Sequence, residues 1–378
     1  MGAGCGPNLD PQLSESRSNL AATTVTCPNG NQQALFGGGF GAAASDVVDI
    51  FDGGDSLERS IDSLSVGRSN LAGASVQCNN KGYALFGGGV GAASVVNDVD
   101  VFECNDDGIS FKERLELSVA RIDLAATSVQ CNDKEYALFG GGSDGASYFN
   151  DVDVFECNDA GLFFKERLEL SVGRSLLAAT SVLCNDKGYA LFGGGEGPSV
   201  VNDVDVFECN DAGLFFKERL ELSVARFDLA ATSVQCNDKG YALFGGGSDG
   251  VSLVNDVDVF ECNDDGISFK ERLELSVARD LLVATSVTAP DGKQYALFGG
   301  GADNTGFSDT VDIFHCNDNG VFYTKTANFN RGPPRPALAA TTVNCGGVDY
   351  GLFGGGSDVT GSVFNDIDIF DSSSLEFI

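Results

Sequence analysis

The phrase DVDVFECND occurs four times without change in this 378-residue chain, at residues 98–106, 151–159, 203–211 and 256–264. Close variants follow the same pattern, namely DVVDIFDGG (46–54), TVDIFHCND (310–318) and DIDIFDSSS (366–374). Apolar and polar residues alternate in each copy, which is typical of a β-strand. The chain therefore uses one strand pattern seven times.

This strand belongs to a longer repeat, because the phrase LFGGG also recurs seven times with a period of 50 to 55 residues. Each unit contains four strand patterns: A, LAATSVQC (229–236); B, YALFGGG (241–247); C, DVDVFEC (256–262); and D, as in LFFKERLELS (214–223). Clusters such as NDKG (237–240) and NDDG (263–266) separate A from B and C from D. They favour hairpin turns because Asn and Gly tolerate positive φ.

Four antiparallel strands in each of seven units predict an all-β fold, a seven-bladed β-propeller of four-stranded blades. The small residues of strand A suit the crowded inner position, and the glycines after strand B allow neighbouring blades to approach closely. The expected blades are residues 18–67, 68–120, 121–173, 174–225, 226–278, 279–334 and 335–378. We expect the N-terminal segment 1–17 to close the seventh blade, because it matches the end of a strand D.

Composition limits the classes of partner. The chain carries 55 acidic and 23 basic residues, a formal net charge of −32, and its hydrophobic content of 43% is sufficient for a folded core. Such a negative surface repels nucleic acid and favours cations or basic partners. No apolar run approaches the roughly 18–20 residues of a membrane span. We therefore expect no nucleic-acid partner and no membrane span.

The repeat resembles that of the kelch family. In a kelch repeat a double glycine ends the second strand, as Gly193 and Gly194 do here. An aromatic residue stands in the third strand, here Phe102, Phe155, Phe207 and Phe260. Phenylalanines occupy the place of the kelch tryptophan, namely Phe111, Phe164, Phe216 and Phe269. An arginine precedes the next first strand, namely Arg17, Arg68, Arg121, Arg174, Arg226, Arg279 and Arg335. The chain contains no Trp, so the resemblance is to a divergent, kelch-like propeller.

The resemblance implies that the D–A and B–C connections lie on one face of the ring. A ring of arginines on that face would recognise acidic ligands, as some kelch domains do. The candidate binding arginines are Arg121, Arg174, Arg226 and Arg279. The alternative is that each arginine pairs with a nearby carboxylate, such as Asp98 or Asp151, and holds neighbouring blades together.

The B–C loops vary among the otherwise similar middle repeats, as VGAASVVN (90–97), SDGASYFN (143–150), EGPSVVN (196–202) and SDGVSLVN (248–255). Variable loops on a constant scaffold are where binding residues concentrate. The candidate binding residues in these loops are Asp144, Tyr148, Phe149 and Asp249. Together with Asp303 and Asp358, the two aspartates are also candidate calcium ligands. Each loop offers few carboxylates, so we expect no metal and no cofactor.

Residues that would support catalysis are scarce. The one histidine, His315, lies in a strand pattern, and neither a nucleophile elbow, a phosphate-binding loop nor a zinc-ligand spacing occurs. The sequence therefore favours a protein without catalytic residues, an interaction or structural scaffold that binds a protein or glycan at the B–C loops and can self-associate. The alternatives are a calcium- or carbohydrate-binding protein of a cell surface or matrix, and an enzyme.

Eleven of the twelve cysteines occupy two repeat positions, and Cys5 lies outside the pattern. One position ends strand A: Cys27, Cys78, Cys131, Cys184, Cys236 and Cys345. The other ends strand C: Cys104, Cys157, Cys209, Cys262 and Cys316. A bridge within one blade would have to span about 9–10 Å across strand B, beyond the roughly 7 Å limit between bridged Cα atoms. A bridge from strand C to strand A of the next blade leaves four cysteines without partners.

A bridge from strand C to strand A of the previous blade leaves the fewest gaps. It predicts the pairs Cys27–Cys104, Cys78–Cys157, Cys131–Cys209, Cys184–Cys262 and Cys236–Cys316, with Cys5–Cys345 as a sixth. The strand A position without cysteine, Ala289, then faces the strand C position Ser372. Such disulfides would link the blades and place the protein in an oxidising, extracellular environment. The alternative is a cytoplasmic protein with free thiols.

Overall fold

The computed structural model describes residues 11–53, 57–105, 108–131, 134–159, 161–184, 187–263, 266–317 and 319–378. These residues form seven four-stranded antiparallel sheets, each with its strands in the order A, B, C, D along the chain. Two additional sheets have only two short strands each, Arg68–Ser69 with Val90–Gly91 and Ala302–Asp303 with Gly306–Phe307. The described part of the chain contains no helix, so none there could cross a membrane. The predicted seven-bladed β-propeller is confirmed.

Corresponding strands have similar lengths in all blades except the first and last. Strand A spans Ala21–Thr26, Ala72–Cys78, Ala125–Cys131, Ala178–Cys184, Ala230–Cys236, Val283–Thr288 and Leu338–Cys345. Strand B spans Gln32–Gly37, Lys81–Gly87, Lys134–Gly140, Lys187–Gly193, Lys239–Gly245, Gln294–Gly299 and Val348–Gly355. Strand C spans Val47–Asp52, Asp98–Asn105, Asp151–Asn158, Asp203–Asn210, Asp256–Asn263, Thr310–Asn317 and Ile367–Asp371. Strand D spans Arg59–Ser63, Gly108–Glu116, Gly161–Glu169, Gly213–Glu221, Gly266–Glu274, Gly320–Asn328 and Glu376–Phe377.

The core lies between blades, where the face of one blade packs on the next. Leu138 and Val154 of blade three share a hydrophobic cluster with Phe192 and Phe207 of blade four. Strand B is therefore covered on both faces, as its continuous apolar sequence predicts. A Cβ atom on Gly140 would lie 2.6 Å from Cε1 of Phe192, so this strand must end in glycine for the next blade to dock.

Residues from both ends of the described chain lie along strand C of blade seven. Phe377 pairs with Phe370, while Gln12 bridges Asp366 and the amide of Leu13 donates to the carbonyl of Asn365 at 2.8 Å. In blade two a single strand D pairs along the whole of strand C. In blade seven this pairing is divided between the C-terminal residues and the N-terminal segment. The outer strand of blade seven is therefore assembled from two separate segments.

Five disulfides connect strand A of one blade to strand C of the next, and their Cα atoms are 5.2 to 6.1 Å apart. They are Cys27–Cys104, Cys78–Cys157, Cys131–Cys209, Cys184–Cys262 and Cys236–Cys316. This pairing is the predicted one, and no described cysteine has a free thiol. Cys345 is disulfide-bonded as well, whereas Cys5 lies outside the described residues. A set of disulfides of this kind is typical of an oxidising compartment.

Candidate functional site

The D–A links and the B–C loops lie on one face of the ring, which we call the loop face. Ile122, in a D–A link, bridges Ser143 in a B–C loop, and Ser175 bridges Glu196 in the same way one blade further on. The A–B and C–D turns lie at the other ends of the strands, and we call that side the turn rim. The candidate residues Asp144, Tyr148 and Asp249 all belong to the loop face.

The seven arginines of the D–A links are completely buried. Each forms an ion pair with the aspartate two residues before the phenylalanine of a strand C phrase, giving the pairs Arg17–Asp49, Arg68–Asp100, Arg121–Asp153, Arg174–Asp205, Arg226–Asp258, Arg279–Asp312 and Arg335–Asp368. In the first six pairs the nitrogen and oxygen atoms are 2.6 to 2.8 Å apart.

This burial corrects the expectation that four of these arginines form a ligand surface. Arg121, Arg174, Arg226 and Arg279 have no exposed surface, so an acidic ligand cannot reach them. The alternative, pairing with a carboxylate, describes the arrangement better, although the partner is not the first aspartate of the phrase. Asp98 and Asp151 instead approach arginines of strand D, Arg114 and Arg167, at 3.1 and 2.9 Å.

Each buried arginine joins two blades. The guanidinium of Arg174 bonds Asp205 and the carbonyl of Phe192, both in blade four. Its own carbonyl accepts a hydrogen bond from the amide of Gly142 in blade three at 2.8 Å. The carboxylate of Asp205 also accepts from the amide and hydroxyl of Ser171, at 3.0 and 3.1 Å. The arginine ring is therefore a structural connection between blades.

The aspartates of the B–C loops hold the loop backbone in place. Asp144 accepts hydrogen bonds from the amides of Ala146 and Ser147, at 2.9 and 2.7 Å, and these bonds hold its pKa below the ordinary value. Asp249 makes the same pair of bonds in blade five, and it too has a lowered pKa. These bonds all end on Oδ1 of the aspartate and give each carboxylate a structural role in its own loop. Among the described residues, no three His, Cys, Asp or Glu side chains are close enough to hold a metal ion.

Apolar side chains stand exposed at the tips of four B–C loops. Tyr148 is 40% exposed, Phe40 is 48%, Val359 is 75% and Val251 is 93%. Phe149 is half-buried, and its amide donates to Gly142 within the loop. Tyr148 and Phe149 were predicted from the sequence, whereas Phe40, Val251 and Val359 were not. An apolar residue close to a glycine in a short polar loop is the sequence pattern that could have predicted these exposed side chains.

A ring of backbone hydrogen bonds surrounds the propeller axis on this face. The residue two positions before each strand A, or one in blade seven, has φ between 52° and 58°: Asn19, Asn70, Asp123, Leu176, Asp228, Leu281 and Ala337. Six amides of this ring donate to the carbonyl of the equivalent residue in the preceding blade, at 2.9 to 3.3 Å. The sequence analysis did not predict this feature.

The axial ring opens into a recess of about 210 Å³ whose lining includes Leu176, Leu281, Asp123 and Asp228. Burial, together with the carboxylates of Asp280, Asp123 and Glu196, raises the pKa of Asp228 to about 7. Burial also raises the pKa of Asp123, although the side-chain amide of Asn70 donates to it at 2.7 Å. The recess thus combines aliphatic walls with carboxylates in an environment of low polarity.

Replacing Asp228 with Asn is expected to remove a pH-dependent loss of stability. Because folding raises the pKa of this carboxyl from 3.8 to about 7, the penalty begins above the lower value and is complete above the higher one. Between pH 5 and 8.5 the free energy of unfolding of the wild type should fall by about 1–2 kcal/mol relative to that of the variant. One pKa unit equals about 1.36 kcal/mol, and partial exposure of the side chain screens the effect. Urea denaturation at both pH values measures this difference.

The control for this experiment is Asp238→Asn on the turn rim, where the side chain is exposed. It should change stability equally at both pH values. Asn tolerates the positive φ of residue 228 as well as Asp does, so the substitution adds no backbone strain. Equal pH dependence in wild type and Asp228→Asn would contradict the prediction.

Ion pairs also form between side chains near the turn rim. In blade three Glu156 lies between Lys134 and Lys165, at 3.4 and 3.0 Å. Blades two, four and five repeat this arrangement, whereas blade six has His315 in the place of the glutamate. The ring of His315 bonds the hydroxyl of Thr324 at 2.8 Å, and burial together with Lys293 lowers its pKa.

Comparison with known proteins finds a similarity in fold alone. No family model and no curated protein matches it. A solved structure, "Structure of YjhT", aligns with 83% of this chain and 99% of its own, with a TM-score of 0.50 and 15% sequence identity. At that identity the similarity shows a shared propeller fold and nothing of function. The likeness to kelch repeats therefore remains a resemblance in sequence pattern.

Proposed function

We propose that this protein is a non-enzymatic binding scaffold of the extracellular space that presents its loop face to a polypeptide partner. The observation that carries the proposal is the exposure of Tyr148, Val251 and Val359 on loops whose backbone is already fixed by internal hydrogen bonds. Exposed aromatic and aliphatic side chains in a polar surround are typical of protein interaction sites.

The rigidity of the ring supports this role. Buried Arg–Asp pairs and disulfides connect neighbouring blades, so the loops are held at fixed distances from one another. A preorganised surface loses little conformational entropy on binding, and more of the contact energy then appears as affinity. The disulfides also support the proposed extracellular location, because thiols in the cytosol are usually kept reduced.

Three side chains that could serve catalysis have structural partners. His315 bonds Thr324, and the loop aspartates Asp144 and Asp249 cap their own loops. General acid or base catalysis needs a titratable group within reach of a substrate proton. These partners support a binding role over an enzymatic one.

Selection of displayed peptides tests the proposal. A random peptide library is panned on the wild type, and each recovered peptide is then measured against two variants. Tyr148→Ser/Val251→Ser removes exposed apolar surface from the loop face. Ile61→Ser/Leu183→Ser removes similarly exposed surface from strands D and A, where the side chains are 55% and 48% exposed. We expect recovered peptides to bind the loop-face variant at least ~10-fold more weakly than the wild type, because buried apolar contacts are lost. Their affinity for the control variant should stay within ~2-fold of the wild-type value.

A result in which affinity falls only for the control variant would refute the assignment of the face. Repeating the measurement with EDTA distinguishes a calcium-dependent site, because chelation would then abolish binding. We expect no effect of EDTA, since no three acidic side chains among the described residues are close enough together to hold a metal ion.

A further inference from the structure

The connections that form the loop face are rich in acidic residues and poor in bases. The buried arginines of the D–A links are each neutralised by an aspartate of strand C. Apart from these pairs, the D–A links and B–C loops contain one base, Arg331. Their acidic residues are Glu15, Asp46, Asp123, Asp144, Glu196, Asp228, Asp249, Asp280, Asp303, Asp309, Asp358 and Asp366. All the lysines of the chain lie elsewhere.

The axial recess concentrates this charge at the centre of the face. The charged groups that act on Asp228 are the carboxylates of Asp280, Asp123 and Glu196. Arg226, two residues before Asp228, is turned away and bonds Asp258 at 2.8 Å. Leu176 stands between Asp123 and Asp228 in the axial ring, and Leu281, which follows Asp228, is 41% exposed. The recess therefore offers apolar walls with several negative charges.

We propose that the loop face binds a basic polypeptide segment, which inserts a lysine or arginine side chain into the axial recess. The inference rests on the proposed function and names the class of partner. The methylene groups of such a side chain would pack against Leu176 and Leu281, while its cationic end lies among the carboxylates. Flanking residues of the segment would contact the apolar loop tips, and the net charge of −32 would steer a basic partner toward the protein.

The spacing of the carboxylates favours an extended cation over a metal ion. Asp123 and Asp228 belong to different D–A links, and Leu176 of the intervening link stands between them in the hydrogen-bonded ring. No three acidic groups among the described residues are grouped closely enough to coordinate a metal ion. A side chain with an aliphatic stem can fill the space between them, and a bare divalent ion cannot.

The test uses a fluorescently labelled eight-residue peptide of alternating Lys and Ala, with a Glu–Ala peptide as its counterpart. Anisotropy is measured near physiological ionic strength on the full chain. Asp123→Asn/Asp228→Asn/Asp280→Asn removes three carboxylates of the recess and its rim. Asp159→Asn/Asp211→Asn/Asp238→Asn removes three from the turn rim and changes the net charge equally. We expect the Lys–Ala peptide to lose at least ~10-fold in affinity with the first triple and less than ~2-fold with the second.

The dependence of binding on pH provides a second readout. A cation binds the ionised form of Asp228, so the affinity of the wild type should rise as pH increases from 5.5 to 8, and the recess triple should not show this rise. The charged groups that face Asp228 are the carboxylates of Asp280, Asp123 and Glu196.

Equal weakening by both triple variants would overturn the proposal, because it would indicate attraction by net charge alone. Failure of the Lys–Ala peptide to bind the wild type would overturn it as well. The panning experiment separates this failure from failure of the proposed function. If recovered peptides depend on Tyr148 and Val251 but are not basic and ignore the recess triple, the scaffold role stands and the basic partner does not. If no recovered peptide depends on the loop face, both fail.

Discussion

Replacing Arg174 with Met is expected to lower the free energy of unfolding by about 3–5 kcal/mol, the usual cost of removing one partner from a buried ion pair. Arg174 and Asp205 have no exposed surface, and the carboxylate would be left with only the hydrogen bonds from Ser171. The variant would also lose the bond to the carbonyl of Phe192. Guanidinium denaturation followed by circular dichroism measures the change.

Two further variants give this prediction its controls. Arg219→Met removes an arginine that is 52% exposed and lies 3.5 Å from Asp203, so it should cost less than ~1 kcal/mol. Arg174→Met/Asp205→Asn removes the unpaired charge as well, and it should recover at least ~1 kcal/mol relative to Arg174→Met. If Arg219→Met costs as much as Arg174→Met, burial is not the cause.

The arginine ring shows where sequence reasoning reaches its limit. The spacing of the seven arginines is the same whether they form a ligand surface or a set of blade contacts. The two cases differ in whether each arginine reaches the surface or meets an aspartate in the interior. Asp98 pairs with Arg114 of the neighbouring strand, whereas Asp100, two residues on, meets Arg68 in the interior. Since the two side chains point to the same face of a strand, period-two alternation alone could not distinguish them.

The elements that were predictable have local causes. Hairpin turns follow from Asn, Asp and Gly, and burial of strand B follows from its uninterrupted apolar residues. The order of strands excluded a disulfide within one blade, because strand B separates the two cysteines of each unit, and the positions that lack cysteine favoured the previous blade over the next. These features depend on one repeat and its immediate neighbours.

The axial recess was not predictable, because its backbone conformation is imposed by the closed ring. Leu176 and Leu281 adopt positive φ, which neither residue favours in isolation. Each is held there by a hydrogen bond to the equivalent residue of the preceding blade, at 2.9 and 3.0 Å. The grouping of Asp123 with Asp228 arises only when seven blades meet around one axis. A pattern read along one repeat contains no sign of it.

Replacing Cys184 and Cys262 together with Ala is expected to lower the free energy of unfolding by about 4 kcal/mol in the chain-entropy model. The two residues are 78 positions apart, so their bridge constrains a long loop in the unfolded chain. Denaturation with and without a thiol reductant measures the effect. The difference between wild type and variant should shrink to about 1 kcal/mol under reduction, the remainder being lost packing. A difference that persists in reductant would assign the effect to packing.

The converse experiment adds a bridge where the repeat lacks one. Ala289 and Ser372 are both buried. The carboxylate of Asp349 accepts a hydrogen bond from the amide of Thr288, the neighbour of Ala289, and the carbonyl of Asp349 accepts one from the amide of Ser372. Ala289→Cys/Ser372→Cys should therefore form a disulfide between blades six and seven. The new loop of about 80 residues should raise the free energy of unfolding by up to ~4 kcal/mol. Peptide mapping without reductant identifies the bridge, and two free thiols at these positions would show that the two strands do not face each other as the repeat requires.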